Sequence, residues 1–192
     1  MKVLKYAGDE KGFELRMILY SNTETVRQIK VPWDVSFHEL HNVIQKLFNF
    51  DDYHMWEFKV PAEIPGEDAV DLGNIVQTVS YEDAWHVGIK RILDENDIIV
   101  YEYDFGAGWE IIIQKIDSID YKNKTALLTD YTGKYSPMDD IDVFVFDEIM
   151  EALNSGENVE YILDDYGLKK SDLTKMDFEK KYKIGSRIRF GK

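Results

Sequence analysis

The chain has 192 residues, 44% of them hydrophobic, and contains no cysteine. A chain of this length can bury about 70% of the surface that its unfolded form exposes, so its core needs no disulfide or metal. Because disulfides, thiolate metal sites and cysteine nucleophiles are excluded, and no segment approaches the roughly 18 apolar residues of a membrane span, we expect a cytoplasmic protein with no membrane partner.

Charge is distributed unevenly along the chain. The net charge is −14, but residues 168–192 contain nine Lys or Arg against three Asp or Glu, whereas residues 1–167 contain 14 against 34. Such an acidic body repels the phosphates of DNA, so binding to duplex DNA is not expected. The basic tail either binds a partner or packs on the acidic body. Alternation of Ile184, Ile188 and Phe190 with polar residues favours the second, with the tail as an edge strand.

The first part of the sequence has two strand patterns, a helix pattern and a third strand pattern. Apolar and polar residues alternate in the strand segments. Ser36 and Glu39 match a capping box, and apolar residues follow at helical spacing. The order resembles the first half of a β-grasp fold. The predicted elements are strands over 13–19 and 26–31, a helix over 37–48 and a strand over 54–60.

The remaining elements lead from a long central hairpin to C-terminal helices. The strongest strand patterns flank Gly106 and Gly108, and a tight hairpin turn requires positive φ at one of these glycines. The other predicted elements are a short strand near 75–79, a helix from about 81 to 92, strands over 98–103, 109–116 and 126–128, and helices over 143–153, 159–166 and 171–182.

These elements predict an α+β protein with an antiparallel sheet. We expect one domain over 1–192, with a sheet-rich core over 1–135 and a helical C-terminal portion over 136–192. The hairpin over 98–116 should lie inside the sheet, and the helix over 37–48 should pack on one face.

Histidines are the first candidates for chemistry. His38 and His41 lie near one face of the predicted helix, and His54 begins the next strand. With Asp51 or Asp52, they can form a metal site of the two-histidine, one-carboxylate type. The spacing matches no diagnostic metal motif, and a helix-end histidine more commonly bonds the backbone. We therefore expect no bound metal and no other cofactor.

Asp104 stands where a strand enters the glycine turn, and its carboxylate is expected to accept hydrogen bonds from the amides of residues 106–107. Acidic residues over 139–148 can hold a divalent cation, but a solvated acidic loop explains them more simply. Aromatic residues such as Trp109 alternate along the strands, so core packing explains them before a stacking surface does. The sequence contains no phosphate-binding or serine-nucleophile motif.

Two blocks of sequence resemble one family. The first begins with Val31-Pro32, continues with LHNVIQ over 40–45 and ends with FDDYHMWEF over 50–58, similar to the pattern VP…LHxxIQ…GWxxxHLxxF. The second is YEYDFG over 101–106 followed by Trp109, similar to YxYDFGDxWxH. On these blocks the chain resembles the plasmid open-reading-frame-three-like family of pRiA type, also labelled an insertion-element passenger protein family.

The chain departs from the family pattern in the second block. Ala107 stands where the family often has Asp, and Ile111 stands where it often has His. If that histidine joins His41 and His54 in a cluster, this chain has lost one ligand. The resemblance implies an α+β fold and no established activity. It leaves a candidate functional cluster of His41, His54, Asp104 and Trp109.

Three functions compete for this chain, and the sequence leaves open whether it is an enzyme. A non-enzymatic binding or interaction module, with a possible protein partner, is favoured because no catalytic constellation is complete. The alternatives are a metal-dependent enzyme using His41, His54 and nearby carboxylates, and a mobile-element accessory protein acting with nucleic acid. Convergence of His41, His54 and Asp104 in one cleft would favour the enzyme.

Overall fold

The structure, a computed structural model, describes residues 10–61 and 76–191, which contain eight strands and six helices. The strands are β1 (Lys11–Leu19), β2 (Val26–Pro32), β3 (Trp56–Pro61), β4 (Val76–Val79), β5 (Ile98–Tyr103), β6 (Trp109–Asp120), β7 (Ala126–Thr132) and β8 (Arg187–Ile188). The helices are α1 (Phe37–Leu47), α2 (Tyr81–Ala84), α3 (Ile89–Leu93), α4 (Val143–Ser155), α5 (Glu160–Asp165) and α6 (Lys170–Met176). None of these helices is long and apolar enough to cross a membrane.

All eight strands form one antiparallel sheet, in the order β4-β3-β5-β6-β1-β2-β7-β8. The hairpin of β5 and β6 lies inside this sheet, as predicted, because β6 also pairs with β1 and β5 with β3. The α+β class is confirmed, as is the order of β1, β2, α1 and β3. The closer likeness to a β-grasp and the treatment of 1–192 as one domain stay predictions.

Helix α1 begins at the predicted capping box and packs on the inner face of the sheet. The Ser36 hydroxyl accepts a hydrogen bond from the Glu39 amide (3.1 Å), and the Glu39 carboxylate accepts one from the Ser36 amide (2.9 Å). The ring of Phe37 lies 4.8 Å from that of Phe58 in β3. Strand register places Trp109 on the same face, where it contacts Phe146 of α4.

The helix predicted from residue 81 to 92 is wrong as one continuous element. The chain leaves the helical path between α2 and α3 because its backbone pairs with the start of α1 instead. Phe37 donates to the Val87 carbonyl (3.0 Å), Ile89 donates to the Val35 carbonyl (2.8 Å), and Ser36 forms a β-bridge with Gly88. This pairing fixes the position of α2 beside the first turns of α1.

The last predicted helix also ends early, at Met176. Asp177 is extended (φ −65°, ψ 101°) and forms a β-bridge with Tyr135, after which residues 178–180 form a 3₁₀ turn. The extended residue brings the Phe178 ring to 3.8 Å from the guanidinium carbon of Arg27. Beyond it, β8 pairs with β7, so the tail docks as an edge strand, as predicted.

Candidate functional site

The candidate residues surround the loop over 49–55, which joins α1 to β3. Asn49 (φ 63°) and Asp52 (φ 59°) in this loop have left-handed backbone conformations, as does the nearby Asp104 (φ 47°). Asn and Asp are the non-glycine residues that enter this region most readily. Strained conformations of this kind persist where surrounding contacts determine the backbone, so the loop has a fixed shape.

Hydrogen bonds from buried side chains hold the loop in this conformation. The Asp52 amide donates to the side chain of Gln45 (2.8 Å), and the Tyr53 amide donates to the hydroxyl of Tyr103 (3.2 Å). The carbonyl of Met55 accepts from the Asp104 amide (3.0 Å). The loop is therefore tied to both α1 and β5, which explains why β3 begins at Trp56 and not at the predicted residue 54.

His41 is completely buried and has a hydrogen-bond partner at each ring nitrogen. Nε2 lies 3.0 Å from a carboxylate oxygen of Asp52, and Nδ1 lies 2.8 Å from the hydroxyl of Tyr101. A carboxylate can only accept, so Nε2 carries the proton and Nδ1 accepts from Tyr101. The same hydroxyl accepts from the Gln45 amide (2.9 Å), and burial raises the pKa of Tyr101 well above its usual value.

The face of the His41 ring is covered as well as its edges. The indole of Trp56 stacks on it, with ring centroids 3.9 Å apart and planes 14° from parallel. Its two nitrogens and this face are therefore occupied by protein groups, and the imidazole is locked in one orientation. The locked imidazole of His41 therefore supports the part of the protein surface that it borders.

His54 belongs to a second network, which surrounds Tyr103, the next residue of β5 after Tyr101 to face inward. Its Nδ1 lies 3.4 Å from a carboxylate oxygen of Asp104. The hydroxyl of Tyr103 donates to Asp139 (3.0 Å), which also accepts from the Asp51 amide (2.9 Å). Burial raises the pKa of Asp139, and it raises that of Tyr103 too. Asp139 thus anchors the loop and is not part of a freely solvated acidic loop.

Trp109 and the glycine turn complete the geometry around this second network. Trp109 pairs with Tyr103 across the hairpin, is almost fully buried, and has no hydrogen-bond partner for its indole nitrogen in the described part of the chain. The Asp104 carboxylate accepts from the amides of Gly106 (3.2 Å) and Ala107 (3.4 Å), as predicted. Positive φ falls on Gly108 (73°), which confirms the prediction for one of the two glycines.

The structure thus brings His54 and Asp104 together but gives His41 its own carboxylate, Asp52. Ile111, where the family often has histidine, is fully buried opposite Tyr101. Among residues 10–61 and 76–191, no group of three or more His, Asp or Glu side chains is placed to hold a metal ion.

An open cleft of about 370 Å³ borders His41 on the outer side of α1. We call it the aromatic cleft. Trp85 is 46% exposed and stacks on His38, with ring centroids 3.3 Å apart. Tyr81 is 55% exposed and makes a T-shaped contact with the ring of Trp56. The aromatic residues that line the cleft include Tyr81, Trp85 and Phe190, and its polar lining includes His38, Glu39 and Asp52.

Sequence reasoning missed the aromatic cleft because three distant segments build it. Apart from the loop residue Asp52, the lining comes from the first turns of α1, from α2 with the residue after it, and from the C-terminal tail. The backbone pairing of Ser36 with Gly88 places the second segment. The Lys46 ammonium, which donates to the carbonyls of Arg189 (2.8 Å) and Gly191, places the third. None of these tertiary contacts has a local sequence signal.

Comparisons with known proteins identify relatives without a stated activity. The family model for plasmid pRiA4b ORF-3-like protein matches residues 11–179. An uncharacterised protein of Sinorhizobium fredii is 26% identical over 137 residues, which cover 67% of this chain and 65% of that relative's length. A protein of unknown function from Methanosarcina mazei Go1 has a similar crystal structure, with a TM-score of 0.63 and 21% identity over 81% of this chain and 88% of that one. At this identity, the likeness to the solved structure shows the fold alone.

Proposed function

The chain belongs to the plasmid pRiA4b ORF-3-like family, and we propose that this member is a non-enzymatic binding protein whose ligand occupies the aromatic cleft. The observation that carries the proposal is the state of His41. A general base needs a ring nitrogen within reach of the substrate. Both nitrogens of His41 are instead bonded to Tyr101 and Asp52, so the imidazole supports the wall of the cleft.

The shape and lining of the cleft support binding. Small-molecule sites are typically clefts of about 300–1,000 Å³ with aromatic walls and a few fixed polar groups. The aromatic cleft is near the lower end of this range, so it suits a ligand of few atoms. Its lining includes groups held by α1 and by the tied loop, which reduces the entropy lost when a ligand binds.

The metal-dependent alternative receives less support from the same geometry. His41 and His54 contact different carboxylates, Asp52 and Asp104, and they lie beside successive inward residues of β5. A shared metal would require one ring nitrogen of His41 to give up its hydrogen bond to Tyr101 or to Asp52. Each buried hydrogen bond left unmade costs about 1–3 kcal/mol, so the observed arrangement opposes that rearrangement.

The proposal is tested by mapping small-molecule binding with NMR. A set of neutral, cationic and anionic fragments is titrated into 15N-labelled protein, and at least one class should give saturable shifts at residues 38–42, 81–85 and 190–191. The variant Trp85→Ala should weaken that binding. The control Phe144→Ala removes an aromatic ring that is 79% exposed on α4, outside the cleft, and should bind as wild type does.

Two results would contradict the proposal. One is that no fragment of any class gives saturable shifts in the cleft. The other is that a bound fragment is chemically converted by the wild-type protein and that the conversion stops in His41→Gln, which would make the histidine catalytic.

A further inference from the structure

We infer that the ligand of the aromatic cleft is a small organic cation with an ammonium or guanidinium head. The inference rests on the proposed function, because it assigns a chemical class to the ligand of that same cleft. It follows from the charges that line the cleft, from its aromatic faces and from the way the basic C-terminal tail is held.

The carboxylates of Glu39 and Asp52 line the cleft beside the imidazoles of His38 and His41. Among the described residues, neither Lys nor Arg lines it. Glu39 accepts from the Ser36 amide and Asp52 accepts from His41. The hydrogen bond from the neutral Ser36 amide leaves the Glu39 carboxylate with its net charge, and low-dielectric walls concentrate the resulting potential. The net charge of −14 adds to the attraction for cations.

The aromatic walls suit the same class of ligand. A cation within about 6 Å of an aromatic ring gains about 0.5–2 kcal/mol from the electrons of the ring face, and Trp gives the largest gain. His38 covers one face of Trp85, and the side chain remains 46% exposed. Tyr81 and Phe190 provide two further rings around the same space.

Lys46, which holds the tail beside the cleft, does not oppose this assignment. The ammonium of Lys46 donates to the carbonyls of Arg189 and Gly191, so it is engaged with the backbone of the tail. These bonds position Phe190 as one wall of the cleft. Docking of the basic tail on α1 therefore supplies one wall of the cleft.

Other ligand classes fit this lining less well. An anion would meet two carboxylates and, among the lining residues that the structure describes, neither Lys nor Arg, and like charges at close range repel. A neutral ligand would cover the Glu39 carboxylate without supplying a counter-charge, and burying a charge in this way is costly. Only a cation gains from both the rings and the carboxylates.

The inference is tested with two probes that have the same shape and differ in charge. Choline carries a quaternary ammonium, and 3,3-dimethylbutan-1-ol has a carbon atom in place of the nitrogen. Both are titrated into full-length protein by NMR at low salt. Choline should bind at least about tenfold more tightly than the alcohol, since one desolvated cation–π contact and one ion pair together supply about that factor.

Two charge-removing variants assign the preference to the carboxylates. Asp52→Asn keeps an acceptor for His41 and a residue type that tolerates positive φ, and Glu39→Gln keeps the capping box. Each variant should reduce the preference for choline over the alcohol. In Asp52→Asn, the affinities for the two probes should differ by no more than about threefold. Circular dichroism establishes that each variant is folded, and Glu39→Gln still decides the question if Asp52→Asn is not.

The possible failures are distinguishable. If the alcohol binds in the cleft as tightly as choline, or if 3,3-dimethylbutanoate binds more tightly, the ligand class is wrong but the cleft still binds ligands. If the preference for choline over the alcohol is as large in both carboxylate variants as in wild type, the electrostatic assignment is wrong. If neither probe nor any fragment shifts the cleft residues, both the inference and the proposed function fail.

Discussion

The side chain of Arg27 is fully buried and makes hydrogen bonds almost entirely to backbone carbonyls. It lies between the end of α1, the connection after β7 and the ring of Phe178. Its acceptors are the carbonyls of Val26 (2.8 Å), Leu47 (3.3 Å), Thr132 (2.5 Å), Gly133 (3.3 Å) and Tyr135 (3.5 Å), and the hydroxyl of Ser136 (3.0 Å). The guanidinium therefore joins three segments that the sequence places far apart.

Replacing Arg27 with Met sets two large effects against each other. The carbonyls of Thr132, Gly133 and Tyr135 would lose a charged donor, which costs about 1–2 kcal/mol each, and the cation–π contact with Phe178 adds about 2 kcal/mol. Against this, burial lowers the pKa of Arg27 from 12.5 to about 9. A shift of that size corresponds to roughly 5 kcal/mol of unfavourable charge burial that Met would relieve. We expect a net loss of about 1–2 kcal/mol in the free energy of unfolding.

The assay is urea unfolding of wild type and Arg27→Met, followed by fluorescence and circular dichroism. The control Arg16→Met removes a half-buried arginine from the outer face of β1 and should change stability by less than about 0.5 kcal/mol. If Arg27→Met is as stable as wild type or more stable, the cost of burying the charge exceeds its hydrogen bonds. That result would refute the role given to Arg27.

The same pair of proteins gives a second test through pH. Because the folded pKa of Arg27, about 9, lies below the unfolded value of 12.5, the folded protein releases this proton first as pH rises. The free energy of unfolding of wild type should therefore increase relative to Arg27→Met above pH 9, by about 1 kcal/mol per pH unit. Other titrating groups are common to both proteins and cancel in the difference. A constant difference between pH 8 and 10 would contradict the burial argument.

Three further predictions concern the turn, the outer face of the sheet and nucleic acid. Gly108→Val should cost about 1–3 kcal/mol in urea unfolding because Gly108 has φ 73°, whereas Gly106→Val should cost less; equal stabilities would refute the turn assignment. Burial, with Glu102 as a second cause, raises the pKa of Glu57 and Glu110, so the free energy of unfolding falls as pH rises above about 4.5. Glu102→Gln should flatten this pH dependence, and an unchanged dependence in the variant would exclude the coupling to Glu102. In a gel-shift titration, full-length protein should not bind duplex DNA below about 1 μM at physiological salt, and salt-sensitive binding in that range would favour a nucleic-acid role.

The parts of the fold that sequence predicted correctly are those with local causes. The capping box of Ser36 and Glu39 starts α1 at the expected residue, and the Asp104 carboxylate bonds the expected turn amides. Both depend on residues within three positions of each other, so the pattern and the contact coincide. The family resemblance, read from blocks of this kind, is confirmed by the model match over 11–179.

The parts that sequence could not predict depend on contacts between distant segments. Asp52 lies two residues before His54 in the same loop, yet it pairs with His41, whereas His54 pairs with Asp104. The positive φ of Asp52 turns the chain at this point, and no spacing rule encodes that turn. In the same way, Asp139 has the sequence context of a solvated acidic loop, but the Tyr103 hydroxyl and the Asp51 amide bind it from other elements.

The polar network around His41 is best understood as a structural device for the aromatic cleft. A buried histidine, tyrosine and glutamine would weaken an apolar core if any of their polar atoms lacked a partner. Here each donor has an acceptor: Gln45 donates to Tyr101, Tyr101 donates to His41, and His41 donates to Asp52. A network satisfied in this way allows one arrangement, and it ends at a carboxylate on the surface of the cleft. The core thereby fixes the position of the negative charge that a cationic ligand would meet.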